Sequence, residues 1–252
     1  ALESYNRQDN AYLINSALTA EYSEDQSAPA EPVDYQFYDQ AWGNDRISLH
    51  TAQIKDAYEA GSLNWRYEAA HSGYQFNRNN MFVSGQKVME YVTGVGGWIA
   101  LRLQSPGAGK YDLTLRYGAH ANGAAKGGVY ILPAEVIDAA LGENKDAYAE
   151  EMSADPYQNN GQTDAFKAYL DAVNTAMVGQ EAIMEPSYYA ASVAGNLTAT
   201  GSFWFEADKE YVVVFKALES YNRQDNAYLI NSALTAEYSE DQTLEEEPTE
   251  PP

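Results

Sequence analysis

Short segments in which apolar and polar residues alternate run through most of this chain, separated by proline- or glycine-rich turns. In GGWIALRLQSPGAGKYDLTLRYG (residues 96–118), Ile99, Leu101 and Leu103 share one face of a strand, and the pattern resumes after SPGAGK. Side chains alternate across a strand, so this period predicts half-buried strands, and Pro and Gly supply the turn dihedrals. The stretch therefore predicts a β-hairpin.

Strand patterns of this kind recur along the chain at fairly even intervals. They occupy VDYQFYD (33–39), LNWRYEAAH (63–71), GGVYILP (127–133), two halves of GSFWFEADKEYVVVFKALES (201–220) and NAYLINSALTAEYS (226–239). About eight short strands with regular turns are typical of two packed antiparallel sheets. The sequence therefore predicts a mainly β fold, an antiparallel β-sandwich or jelly roll.

Residues 134–178 depart from the strand pattern and predict a helical insertion between two strands. AEVIDAAL follows Pro133, and a longer helical segment, TDAFKAYLDAVNTAMVG, has Thr163 as its N-cap and Gly179 at its end. Helical spacing in that segment predicts one apolar stripe, formed by Phe166, Tyr169, Leu170, Val173 and Met177.

Twenty-six residues occur twice without a difference, at 1–26 and at 217–242. The spacers that follow, 27–33 and 243–252, are rich in proline and acidic or small residues, so they predict extended linkers. We therefore interpret residues 33–242 as one β-sandwich module and the first copy as the last strand of a preceding module.

An isolated strand is not stable in water, so the first copy needs a sheet to pair with. We expect it to occupy, on a neighbouring copy of the module, the position that the second copy fills in its own, which joins copies head to tail. The alternative is that the duplication is only a trace of tandem recombination. The strand residues concerned are Tyr12, Ile14, Leu18 and Tyr22 in the first copy and Tyr228, Ile230, Leu234 and Tyr238 in the second.

Composition and motifs argue against several classes of function. The chain has no cysteine, which excludes disulfides and thiolate metal sites, and its net charge of −22 opposes binding to nucleic acid or anionic membranes. No apolar run reaches membrane-spanning length. His50, His71 and His120 have no metal-ligand spacing, and no nucleophile-elbow or phosphate-loop motif occurs. The sequence therefore predicts no enzyme, no catalytic or metal site and no cofactor.

Structural calcium stays open as an alternative. Oxygen ligands suit this ion, and three loops are rich in Asp and Asn: YDQAWGND (38–45), SADPYQNN (153–160) and NRQDN (222–226). Turn chemistry explains the same residues, and none of these loops follows the EF-hand pattern.

The segments SLNWRYEA, GGWIALRLQSPGAGKYDLTLRYG, GGVYILPAEVIDAAL, and EYVVVFKA with NAYLINSALTAEY occur in this order. Together they resemble a repeated β-sandwich module of large surface proteins from gut Firmicutes, a module similar to carbohydrate-binding jelly rolls. The resemblance covers roughly residues 33–242, apart from a longer helical insert, and it brings no site residue with it. It implies an extracellular location on a bacterial cell surface and a tandem context.

Two functions follow from these features. The first is a structural module of a stalk or filament, with neighbouring copies of the module as partners. The alternative is a carbohydrate-binding or adhesion module that holds a polysaccharide or host glycan on exposed aromatic rings.

Trp98 and Trp204 alternate away from apolar neighbours, which predicts that they face outward, unless they pack beneath the apolar stripe of the insertion. Loop-borne Trp42, Tyr74, Tyr188 and Tyr189 are further candidates for stacking on sugars. Burial of both tryptophans would weaken the carbohydrate-binding hypothesis.

Overall fold

The computed structural model describes residues 32–37, 51–71, 96–122, 125–148, 163–219 and 228–243. The described helices are α1 (Thr51–Glu59), α2 (Ala134–Leu141) and α3 (Asp164–Ala176), and residues 144–148 form a further helical turn. The described strands are β1 (Val33–Gln36), β2 (Trp65–His71), β3 (Trp98–Gln104), β4 (Gly109–Asn122), β5 (Ala125–Pro133), β6 (Ser187–Tyr188), β7 (Ala191–Phe205), β8 (Glu210–Glu219) and β9 (Tyr228–Tyr238).

These strands form two antiparallel sheets that pack as a β-sandwich, which confirms the predicted fold class. Sheet A has the strand order β1-β9-β4-β7, and sheet B has the order β2-β3-β8-β5-β6. Aromatic rings join the sheets: the ring of Phe37, after β1, meets Trp65 of β2 at 5.2 Å and Phe215 of β8 at 5.7 Å. The alternating residues predicted to face inward, such as Leu101 and Leu115, are fully buried.

The predicted hairpin at residues 96–118 is wrong, although both of its strands exist. β3 belongs to sheet B and β4 to sheet A, so the segment between them crosses from one sheet to the other. Gly107 and Gly109 have positive φ in this crossing, and a Cβ on Gly109 would lie 2.8 Å from the Tyr238 ring. Alternation of apolar and polar residues indicates only that one face of each strand is buried. Two strands joined by a crossing between sheets show the same alternation as two strands of a hairpin.

The helical insertion forms a third layer on the outer face of sheet B. α2 and α3 pack on each other, and α3 also contacts β2. The α3 helix begins as predicted, because the Thr163 side chain accepts a hydrogen bond from the Phe166 amide at 3.2 Å. Gly179 has a φ of 78° just beyond the helix end. The predicted stripe is buried except for Leu170, which is partly exposed.

The second copy of the duplicated segment forms β9, a central strand of sheet A. β9 pairs with β1 on one side and with β4 on the other, and the register with β4 slips by one residue near Ser232. Residues at even spacing from 228 to 238 therefore do not all lie on the same face of β9. The apolar side chains of β9 that are described and fully buried include Leu229 and Leu234. Tyr238 is partly buried against the Tyr111 ring.

The first copy of the duplicated segment and most of both predicted linkers lie outside the described residues, as do the side chains of Tyr228 and Ile230. The predicted module boundaries therefore stay a prediction. None of the described helices combines the length and the apolar character needed to cross a membrane.

Candidate functional site

Trp98 faces away from the sandwich core and packs beneath the helical insertion, which is the alternative that the sequence left open. Its side chain is fully buried, and its indole Nε1 donates a hydrogen bond to Oδ1 of Asn174 in α3 at 2.9 Å. The alternation was correct, because Ile99 faces the sandwich core and Trp98 faces the other way. The outer face of sheet B is covered by helices, however, so both faces of β3 are buried. The insertion thus removes Trp98 as a sugar-stacking platform.

The other described aromatic candidates do not form one surface. Trp204 is half-buried on the outer face of sheet A, opposite Lys110 of β4. Tyr188 lies on the short edge strand of sheet B, and the neighbouring Ser187 accepts a hydrogen bond from Tyr117 of β4. Lys110 and Tyr117 are seven residues apart on one strand, which separates these positions by about 23 Å. Tyr189 is 62% exposed, and Trp42 and Tyr74 lie outside the described residues.

A charged cavity lies between the outer face of sheet B and the helices, and the sequence did not predict it. It holds about 50 Å³. Register in β2 shifts between Tyr67 and Ala69, which makes Glu68 the extra residue of a β-bulge, a feature that often redirects side chains near functional sites. The residues that line the cavity are Lys55, Arg66, Tyr67, Glu68, Arg102, Asp138, Leu141, Lys145, Tyr148 and Tyr169.

Arg102 of β3 is the centre of this site. Its Nε donates to Oε1 of Glu68 at 2.7 Å, and its two terminal nitrogens form a bidentate pair with Asp138 of α2 at 2.7 and 3.2 Å. Nη1 also donates to Oε2 of Glu210 in β8 at 2.8 Å. One buried guanidinium therefore links two strands and a helix to β3, in the fork geometry that suits arginine and carboxylates.

Arg66 and Lys145 are two further cations of the polar wall, which also includes Lys55. Nε of Arg66 donates to the same Oε1 of Glu68 at 2.9 Å, and its guanidinium carbon lies 5.4 Å from the ring centre of Tyr58. Nζ of Lys145 donates to Asp138 at 2.9 Å. Each cavity carboxylate therefore accepts hydrogen bonds from two cations.

Three tyrosines form the remaining side of the cavity. Tyr148 and Tyr169 stack with ring centres 4.4 Å apart, and the Tyr148 hydroxyl donates to the backbone carbonyl of Glu68. The Tyr169 hydroxyl lies near the Glu68 carboxylate without satisfactory hydrogen-bond geometry. The Tyr67 hydroxyl is buried and has no hydrogen-bond partner among the described residues. Buried hydroxyls without partners are uncommon and call for an explanation.

Ion pairing sets the charge of these groups. Burial raises the pKa of the Glu68 carboxyl, but Arg102 and Arg66 together outweigh burial, so its pKa lies below the ordinary value. Burial also opposes ionisation of Asp138, and hydrogen bonds from Arg102 and Lys145 bring its pKa below the ordinary value. A general acid or base needs a pKa near neutral pH. Both shifts lead away from it, so the two carboxyls are ionised at neutral pH.

The sequence carried one weak signal for this cavity. Arg66, Glu68 and Arg102 are charged residues within otherwise apolar strands, and alternation assigns them to a solvent-facing side. Their partners Asp138 and Glu210 come from distant parts of the chain, so no local motif connects them. Only the prediction that the insertion needs an apolar surface to pack on pointed to this face of sheet B.

Metal ligands do not assemble in the part of the chain that the structure describes: no group of three or more His, Asp or Glu there could hold an ion. The three loops considered for calcium, 38–45, 153–160 and 222–226, lie outside the described residues. Calcium binding therefore stays an untested alternative.

Comparison with protein families finds no match, and comparison with characterised proteins finds none either. Among solved structures, the chain is similar to a GH26-CBM35 β-(1,4)-mannanase from Podospora anserina, at 12% identity and a TM-score of 0.33, covering 84% of this chain and 28% of that one. An isomalto-dextranase from Arthrobacter globiformis T6 matches at 9% identity and a TM-score of 0.27, covering 69% of this chain and 21% of that one.

A cycloalternan-forming enzyme from Listeria monocytogenes matches at 11% identity and a TM-score of 0.29, covering 83% of this chain and 18% of that one. The chain thus spans less than a third of each of these three proteins. All three are named for activity on carbohydrates, but these scores and identities are too low to assign their activities or ligands to this chain.

Proposed function

We propose that the chain is a structural β-sandwich module of a tandem-repeat protein on a bacterial cell surface, joined to neighbouring copies through the duplicated strand. The observation that supports this proposal is the place of β9 in sheet A. β9 lies between β1 and β4 and pairs with both, from Val33 opposite Ala236 to Tyr111 opposite Tyr238. The strand that the sequence repeats is therefore a central strand.

Removal of β9 would leave a slot in sheet A with two unpaired strand edges. Burial of Leu229 and Leu234 shows that the slot is also apolar. Each such leucine contributes roughly 1.5–3 kcal/mol when it is buried. A free slot of this kind is a template for any strand of matching sequence, which is the basis of donor-strand complementation.

Residues 12–22 repeat residues 228–238 letter for letter, so they supply the same hydrogen-bonding groups and the same apolar side chains. Residues 23–32 then connect that strand to β1. Ten extended residues span at most about 33–36 Å, so a strand docked in one module can be followed closely by the next module. Such a contact does not close on itself, which favours a fibre over a dimer.

The test is a variant that lacks residues 220–252, which keeps β8 but has no β9. We expect it to assemble in a concentration-dependent way, measured by light scattering, because its slot is empty and its first copy is free. A second deletion variant carries Leu18→Lys, which places a charge where the equivalent Leu234 is fully buried, and should not assemble. In the full-length chain the same Leu18→Lys change should leave stability unaltered.

Two outcomes contradict the head-to-tail proposal. In the first, the deletion variant fails to fold with either leucine or lysine at position 18. In the second, the deletion variant folds as a monomer, and Leu18→Lys unfolds it. The second result would mean that the first copy fills the slot of its own module.

A carbohydrate-binding role remains a second candidate because of the outer face of sheet A. Half-buried Trp204 lies opposite Lys110 there, and exposed Ser202 and Asp112 form the next cross-strand pair. An aromatic ring beside hydroxyl, carboxylate and ammonium groups is a common composition for a surface that binds sugars. Trp204→Ala should abolish retention on an immobilised polysaccharide or host glycan, whereas Ser192→Ala on the same strand should not.

A further inference from the structure

One edge of sheet A is formed by β7, a strand of 15 residues that differs from the other described edge strands. No acidic or basic residue occurs between Glu185 and Glu206, which is the longest such run in the chain. By contrast, β1 has four residues and contains Asp34, β6 has two residues, and β2 contains Arg66 and Glu68. Soluble proteins commonly protect edge strands from further pairing by making them short or charged. β7 has neither protection.

The direction of the backbone groups shows which residues of β7 can pair with a further strand. In an antiparallel pair, residues that exchange both hydrogen bonds alternate with residues that exchange none, so successive residues direct their N–H and C=O groups to opposite sides. The Ser239 amide donates to the Lys110 carbonyl at 3.0 Å, so Lys110 faces β9 and the next residue, Tyr111, faces β7. Tyr111 lies opposite Phe203, which therefore bonds to β4. By alternation, the residues whose backbone groups point away from β4 are Thr198, Thr200, Ser202 and Trp204.

No strand among the described residues pairs with that side of β7. On the outer face of the sheet, the side chains of these four residues are exposed, apart from half-buried Trp204. On the inner face, Leu197, Ala199 and Phe203 are only partly buried, whereas the β4 residues opposite them are buried. A strand added beside β7 would therefore cover apolar side chains and also satisfy backbone groups.

Charge indicates which strand can occupy this edge. Two copies of a chain with a net charge of −22 repel each other, so a contact between them favours surfaces without acidic residues. A two-fold contact uses the same surface on both copies, and β7 supplies an uncharged surface on each. Residues 197–205 are fewer than the roughly 20–30 residues a side of a standard interface, so we expect a weak dimer.

We propose that β7 pairs antiparallel with β7 of a second copy of this chain, so that sheet A continues across a two-fold axis at Gly201. This axis places Thr200 opposite Ser202 of the second copy. It also places Thr198 opposite Trp204 of the second copy. Each of these pairs joins residues with outward backbone groups, so each exchanges two hydrogen bonds. Threonine with serine, and a β-branched residue with an aromatic ring, are favourable cross-strand pairs.

The experiment measures association of the full chain by sedimentation equilibrium over a range of protein concentrations, at low and at high sodium chloride. We expect a monomer–dimer equilibrium that shifts toward the dimer at high salt, because salt screens the repulsion between the acidic surfaces. Leu18→Lys should leave the dissociation constant unchanged, because the first copy of the duplicated segment takes no part in this contact. The dimer and the head-to-tail assembly are therefore tested separately.

Substitutions on β7 test the edge itself. Ser202→Pro removes an N–H group that points away from β4, a position at which edge strands tolerate proline, and should weaken the dimer about tenfold or more. Ser202→Ala keeps the N–H group and should not. Thr200→Glu brings like charges of the two copies together near the axis and should weaken the dimer as well. Its control is Thr114→Glu, which adds the same charge at the exposed position opposite Thr200 on β4 and should have little effect.

Circular dichroism and the melting temperature establish that each variant is folded, and Thr200→Glu decides the outcome if Ser202→Pro does not fold. Three results would overturn the proposal. The first is a monomer at every concentration and salt. The second is a dimer that Thr200→Glu leaves unchanged, or that Thr114→Glu weakens as much, which would place the contact elsewhere. The third is a dimer that Leu18→Lys abolishes, which would mean that the first copy of the duplicated segment occupies the edge.

Discussion

Nε of Arg102 lies 2.7 Å from Oε1 of Glu68, and both side chains are only 4% exposed. Neither charge is solvated, so each depends on the other and on the neighbouring groups for compensation. Through the same guanidinium, β3 is also joined to α2 by Asp138 and to β8 by Glu210. The helical layer is therefore attached to the sandwich by a buried ionic contact as well as by apolar packing.

Arg102→Met should destabilise the fold strongly. The change keeps most of the side-chain volume but leaves the buried Glu68 with Arg66 as its one remaining ion-pair partner among the described residues. Breaking a buried pair by removing one partner typically costs about 3–5 kcal/mol. Urea unfolding, followed by far-UV circular dichroism, measures the free energy of unfolding. Lys209→Met, at an exposed ion pair with Glu135, is the control and should be indistinguishable from the wild type. Equal stability of the two variants would mean that the Arg102 cluster contributes nothing net.

Stability should fall when the solution is acidified, because Glu68 and Asp138 have lowered pKa values in the folded state. Their ordinary values are 4.5 and 3.8, so the unfolded chain binds these protons at higher pH than the folded chain does. The contribution is thus fully present above about pH 4.5 and is lost as the pH falls through the folded pKa values. Asp138→Asn should show a shallower decline below pH 4.5 in urea unfolding experiments. Parallel profiles for the wild type and Asp138→Asn would contradict this assignment.

Sequence periodicity correctly predicted the features that depend on a single strand or helix, such as which residues face the core and where a helix begins. Alternation placed Leu101 and Leu115 in the core, and the capping residue Thr163 marked the start of α3. It could not distinguish a hairpin from a crossing between sheets, since the two give the same alternation. It also could not show that Trp98 is covered, because coverage depends on a helix more than 60 residues away along the chain.

The cavity was beyond sequence-based prediction for the same reason. Its ion pairs connect Arg102 to Glu68, Asp138 and Glu210, which lie 34, 36 and 108 residues away. A bulge in β2 places the Glu68 side chain beside Arg102, and no residue pattern in LNWRYEAAH predicts that bulge. Contacts between distant segments were therefore the part of the fold that the sequence left open.

Trp98→Phe should be costly, and Trp204→Phe should not. Trp98 is fully buried between β3 and α3, and the change removes part of its volume together with the hydrogen bond to Asn174. We expect a loss of roughly 1–3 kcal/mol in the free energy of unfolding. Trp204 is half-buried on the outer face of sheet A, so the same substitution there creates no enclosed cavity. Urea unfolding of both variants measures the difference, and a larger loss for Trp204 would show that the outer face of sheet A is also covered.

Gly201 of β7 lies directly against Ile183 and Met184, in the segment that follows α3. A Cβ at this position would stand 2.2 Å from the carbonyl oxygen of Ile183 and 2.8 Å from Cγ of Met184. The segment cannot move away freely, because the Ile183 amide donates to Val129 of β5 at 2.8 Å and the Val129 amide donates to Met184 at 2.9 Å. Residues 183 and 184 therefore lie between the two sheets, bonded to one and touching the other.

Gly201→Ala should consequently destabilise the fold by about 1–3 kcal/mol, the usual range for overpacking. The strain should appear first at the Ile183–Val129 hydrogen bonds, so amide hydrogen exchange at these two residues should accelerate, while exchange at Arg102 should stay as in the wild type. Ser202→Ala, on the exposed face of the same strand, is the control and should change neither stability nor exchange. Unchanged exchange at Ile183 in Gly201→Ala would mean that β7 yields instead, and the loss of protection would then appear along its pairing with β4.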